Sequence, residues 1–135
     1  MVFEFDRRTK YFGTDIEIFY SEIHMIRDIK ENAGLHITAL AEKMNITKGA
    51  VSQMVKRLEK KGLVEKYSLD ENLSKCFVRL TKKGEKADRE HLRLHREADR
   101  IIFSILDTYS DKDIALINDF LIRANNKVSD LEKII

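Results

Sequence analysis

Proline is absent from the 135 residues, and glycine occurs only five times. Without proline nothing breaks a helix from within, so long uninterrupted helices are permitted almost throughout. Cysteine is nearly missing. Cys76 alone excludes an internal disulfide framework and fits a reducing cytosol. No apolar run reaches the length of a membrane span, and the opening MVFEFDRRTKYFG lacks a signal-peptide core. The expectation is a soluble, cytoplasmic protein with no membrane partner. A Gly-rich phosphate loop, a nucleophile elbow and a cysteine beside a conspicuous base are also lacking, so no catalytic residue is assigned. The carboxylates are scattered through Lys- and Arg-rich stretches, where solvated ion pairing is their ordinary use.

What is present is charge, and it is segregated. Charged residues make up 36% and hydrophobic residues 43%, a globular composition with a heavily charged surface. The length suits one domain with a real core. Between Lys43 and Lys86 stand 12 basic and 5 acidic residues, a local charge of +7 that leaves the rest at −5. One positive segment inside a mildly acidic chain is the footprint expected for a polyanion. A merely solvated lysine-rich surface is the competing explanation.

The order of elements narrows the choice. Ser21 is placed to cap a helix whose face is Ile23, Met25, Ile26 and Ile29, and NAG ends it at Gly34. Thr38 is placed to cap the short ALAEKM, with Asn45 as its left-handed close. Thr47 then caps TKGAVSQMVKRLEKKG, which Gly62 terminates and whose stripe is Ala50, Val51, Met54, Val55 and Leu58. Two short helices around MNIT form a helix-turn-helix. LVEKYSL and CFVRL, with DENLSK between them, read as a β-hairpin that places Cys76 in its second strand. Thr81 opens a long helix to about Leu106, with a loose stripe through Ala87, His91, Leu94, Ala98, Ile101 and Ile105. Ser110 and Asp113 begin the last helix. Its seam of Ile114, Ile117, Leu121, Ala124, Val128, Leu131 and Ile135 alternates spacings of three and four, which suits another helix.

Helix-turn-helix followed by a hairpin is a winged helix, whose second helix lies in a DNA major groove. The small Gly49 and Ser52 keep its outer face low enough to approach base edges. Gln53 suits adenine, while Lys48 and Lys56 reach guanine edges or phosphates. The helix N-terminus at Thr47 favours a phosphate. An unliganded surface helix explains the lysines but not the small residues between them.

In this order of parts the chain resembles the MarR family of transcriptional regulators over residues 21 to 135. The resemblance is carried by ITALAEKMNITKGAVSQMVKRLEKKGLVEK and by VRLTKKGEKA. It implies a mainly α fold with a small β-hairpin wing, forming one domain over 1–135. Within it, 21–86 would be the DNA-binding lobe, and 1–20 with 87–135 the dimerisation region. It also implies a homodimer on a pseudo-palindromic operator of double-stranded DNA, modulated by a small-molecule effector. Phe19, Tyr20 and Phe103 are candidates to line an effector cleft. The site residues are Thr47, Lys48, Gly49, Ser52, Gln53, Lys56, Lys66 and Lys75. Family members commonly carry Asp-x-Arg in the wing, where this chain has Asn72 and Ser74, so Lys66 or Lys75 substitutes. The first helix is abbreviated to something within residues 3 to 12.

No cofactor and no metal ligand is assigned. The spacing of His91 and His95, with His24 able to converge on them, leaves a zinc-responsive regulator of this fold as an alternative. An interface role for His91 and a solvated His95 are the plainer readings. A winged helix used purely for protein interaction is the other alternative. Cys76 reads as an inert strand residue.

Overall fold

The computed structural model describes residues 11–69 and 75–132. Among them run α1 (Tyr20–Glu31), α2 (Ile37–Met44), α3 (Lys48–Lys60), β1 (Val64–Tyr67), β2 (Phe77–Leu80), α4 (Lys82–Leu106) and α5 (Asp111–Glu132). The strands pair antiparallel, with Val64 opposite Leu80 and Tyr67 opposite Phe77. This is the mainly helical, hairpin-bearing winged helix expected. The chain divides into two compact units, the first ending at Leu94 and the second beginning at His95. The stretch 21–86 lies wholly in the first. No described helix is long and apolar enough to cross a membrane.

One apolar cluster holds the first unit together. Ile23, Ile26 and Ile29 of α1 meet Leu40 of α2, Val51, Val55 and Leu58 of α3, and Leu63, Val64 and Val78 around the hairpin. Each such side chain removed from water is worth ~1.5–3 kcal/mol. The α3 stripe is narrower than its spacing suggested: Ala50 is exposed, because the first turn of α3 stands clear of the cluster.

Helix ends show where local signals succeeded and failed. Asn45 closes α2 at φ 55° and Gly62 follows α3 at φ 70°, as expected. Behind Gly62 the Leu63 N–H returns to the Leu58 carbonyl, which is the glycine-terminated helix close. Ser21, however, is not a cap. α1 begins one residue earlier, and the Glu22 carboxylate accepts the Phe19 N–H at 2.9 Å. Thr38 is not a cap either. α2 starts at Ile37, whose N–H donates to the Cys76 carbonyl at 2.9 Å. A backbone group of the wing does there what a side chain was expected to do. Cys76 itself precedes β2 by one residue and so lies outside the strand.

Two buried carboxylates fasten α1 to its neighbours. Glu22 pairs with Lys61 at 2.6 Å, and Asp88 of α4 pairs with Arg27 at 3.0 Å and Lys30 at 3.5 Å. Lys30 also bonds Glu85. Gly84 lets α4 pass the hairpin, since a Cβ there would sit 2.0 Å from the Leu63 carbonyl oxygen. In the second unit α5 opens as expected. The Asp113 carboxylate accepts from the Ser110 N–H and hydroxyl, and the Asp113 N–H returns to the Ser110 oxygen. These bonds hold the Asp113 carboxyl below its ordinary range.

Candidate nucleic-acid interface

α3 carries most of the candidate residues on one line. The Thr47 Oγ1 accepts the Ala50 N–H at 3.1 Å, which fixes where the helix begins. From that start, Val51, Val55 and Leu58 face the core. Gly49, Gln53 and Lys56 fall on the opposite side and are exposed, and Ser52 is partly exposed beside them. Gly49 is informative here. A Cβ added to it would meet nothing within 4 Å, so the packing of this chain does not require glycine. Glycine inside a helix costs about 0.5–1 kcal/mol relative to alanine.

The wing and α2 complete the surface. Lys48 and Ser52 of α3, Lys66 of β1, Lys75 before β2, and His36 and Thr38 at the start of α2 line one cleft of about 260 Å³. Four of the eight candidates are therefore brought together from three parts of the fold. Lys48, Gln53, Lys56 and Lys75 make no side-chain hydrogen bond or ion pair among the described residues. Lys66 differs, being paired with Glu59 at 3.2 Å. His36 and Thr38 were not anticipated as lining residues. Both precede the apolar part of α2, and the bridge of His36 to Phe77 with the bond from Ile37 to the Cys76 carbonyl brings them beside the wing. Asn72 and Ser74, on which the wing's minor-groove role turned, lie outside the described residues. So do residues 3–10 of the abbreviated first helix and Ile135 of the seam.

The histidines do not gather into a metal centre. His24 and His91 stack edge to face with ring centroids 5.3 Å apart, and Phe12 lies edge-on to His91 at 5.6 Å. His91 is buried within its own unit, which corrects the expectation of an interface histidine. His95 is exposed. Among the described residues no group of three or more His, Cys, Asp or Glu side chains is arranged to hold an ion. Phe19 and Tyr20 are exposed at the start of α1, and Phe103 is exposed in the second unit.

Comparison with known proteins follows the same geometry. The MarR family pattern matches residues 19–73, from the start of α1 into the wing. The HTH-type transcriptional regulator YhjH of Bacillus subtilis is 30% identical over 102 residues, covering 76% of this chain and 58% of YhjH. PchR of the same organism is 27% identical over 101 residues, covering 75% and 60%. The chain thus spans about three-fifths of the length of these curated relatives. The structure of Streptococcus pneumoniae FabT in complex with DNA superposes with a TM-score of 0.64 at 26% identity, covering 96% of this chain and 87% of FabT. The zinc-responsive MarR family member ZitR of Lactococcus lactis shares the fold at 18% identity, with a TM-score of 0.67 over 86% of this chain and 80% of ZitR.

Proposed function

The chain belongs to the MarR family, and from that membership we propose that it is a sequence-specific regulator of transcription, binding double-stranded DNA as a homodimer in the cytoplasm. The relatives it matches are named as transcriptional regulators rather than enzymes. FabT, its structural relative at 26% identity, was solved on DNA. The observation that carries the reading is Gly49, a helix glycine that nothing in the chain demands, set among exposed polar and cationic side chains without partners. A helix placed in a major groove needs that profile: low in the middle for base edges, positive at its margins for phosphates. Gln53 and Ser52 read bases in this arrangement, while Lys48, Lys56 and Lys75 neutralise phosphate; Lys66 contributes only by giving up its pair with Glu59.

The test separates those roles. DNA recovered from a genomic pull-down supplies the operator, and variants are titrated against it and against scrambled duplex at several salt concentrations. Gln53→Ala weakens operator binding by ~1–3 kcal/mol and scrambled binding much less. Lys56→Gln weakens both and flattens the salt dependence by about one unit. Gly49→Ala raises thermal stability and lowers operator affinity, opposite signs from one methyl group. Salt-insensitive or absent DNA binding would instead favour a protein-interaction module.

A further inference from the structure

We propose that the last turn of α3 and the start of α1 form a second phosphate seat, which takes the DNA backbone at the rim of the major groove. This seat presupposes the DNA-binding reading above. A helix of 13 residues is roughly 20 Å long, more than the ~12 Å width of a major groove. If its first turns read bases, its last turn is carried out over the sugar-phosphate rim. Lys60 follows Gln53 by seven residues and Lys56 by four, so it continues the same line on the helix surface. Arg57 lies next to that line.

The chain builds a groove at this point. A cavity of about 480 Å³ is lined by Phe19, Ser21 and Glu22 of the α1 start and by Arg57, Lys60 and Lys61 of the α3 end. The three cations are not equivalent. Lys61 is committed: its Nζ lies 2.6 Å from the Glu22 carboxylate, 2.8 Å from the Glu17 carbonyl and 4.6 Å above the Phe19 ring. That pair neutralises the one carboxylate in the groove wall. Arg57 and Lys60 remain, and neither has a carboxylate partner among the described residues; Arg57 reaches only the Met54 sulfur at 3.3 Å. Both are exposed, and the exposed Ser21 lies on the far wall. A guanidinium fork, an ammonium and a hydroxyl around a concave surface match a phosphodiester. The other lysine-rich groove, formed by Lys82, Lys83 and Lys86 with Gly13, Thr14 and Asp15, lies off the α3 line, and its Lys83 is paired with Asp15.

The experiment needs no operator, because phosphate contacts act on any sequence. The full chain, Arg57→Gln, Lys60→Gln and the double variant are titrated against a long random-sequence duplex across a salt series. Thermal melting reports the fold of each. Lys56→Gln serves as the positive comparison and Lys127→Gln on α5 as the control for net charge. The expected result is a salt slope reduced by about one unit for each phosphate no longer neutralised, with melting unchanged. Arg57→Lys and Lys60→Arg, which keep the charge, should keep the full slope. An unaltered slope in both single Gln variants, beside a reduced slope in Lys56→Gln, overturns the seat and leaves the DNA-binding reading standing. No salt-dependent binding by the unaltered chain overturns both.

Discussion

Asp28 shows how one carboxyl on α1 works against the fold. Burial first, and Glu31 second, push it above the ordinary carboxylate value, while His24 pulls the other way. The folded chain therefore holds that proton more tightly than the unfolded chain does. Its contribution to stability is fully present below pH 3.8 and is lost as pH rises through the raised value. Asp28→Asn supplies a neutral group of the same shape, so it should stabilise the protein slightly at pH 7, by no more than about 0.5 kcal/mol because solvent screens the charge. The gain should vanish below pH 3.8, and urea midpoints measured at both pH values decide it. Gly49 and Gly84 make a second lesson at this scale. Both are helical, yet Gly84 is held to glycine by the Leu63 carbonyl and Gly49 by nothing inside the chain. The same residue type is required by packing in one place and left unconstrained by it in the other.

The elements are joined end to end by single residues. Thr81 is the clearest. Its hydroxyl donates to the Gly62 carbonyl at 2.6 Å and accepts the Gly84 N–H at 3.1 Å, so one side chain closes α3 and opens α4. Thr81→Ala removes the cap and leaves both backbone groups to find other partners. A loss of about 1–2 kcal/mol is expected, read as a lowered chemical-denaturation midpoint. Thr81→Ser, which keeps the hydroxyl, should recover most of it. α2 is capped differently, through the Cys76 carbonyl, so its start depends on the wing being folded.

At the scale of the molecule, many apolar side chains of α4 and α5 are left uncovered. Leu121 is 57% exposed, Val128 56% and Leu131 60%, and Ile101, Ile105 and Phe120 are exposed as well. Ile114 and Ile117 of the same seam are less open, yet still more than a third exposed. Several such side chains, each worth ~1.5–3 kcal/mol when buried, do not rest stably in water on one helix. A two-fold homodimer that buries this seam is the expected state at micromolar concentration. Sedimentation should give a dimeric mass for the unaltered chain. Changing Leu121 and Val128 to Asp should give monomer or insoluble chain, and a monomeric mass without the substitutions contradicts the assembly. If the dimer is two-fold, operator half-sites lie about one helical turn apart.

The sequence by itself determined the element order, the left-handed close at Asn45, the caps at Thr47, Thr81 and Ser110, and the exposed face of α3. Each of these follows from local chemistry: a side chain satisfying its own backbone, or a period of 3.6 residues sorting one face from the other. Only the tertiary structure decided where α2 begins, because its first donor is satisfied by the Cys76 carbonyl across the fold, and that Lys61 holds the Glu22 carboxylate which opens α1. It also decided that His91 is a core residue, that Lys66 is already paired with Glu59, and that His36 and Thr38 join Lys48 and Lys75 around one cleft. These depend on which strands and helix ends come within hydrogen-bond reach. Spacing along a single chain does not encode that, because the partners are set by packing of elements far apart in sequence.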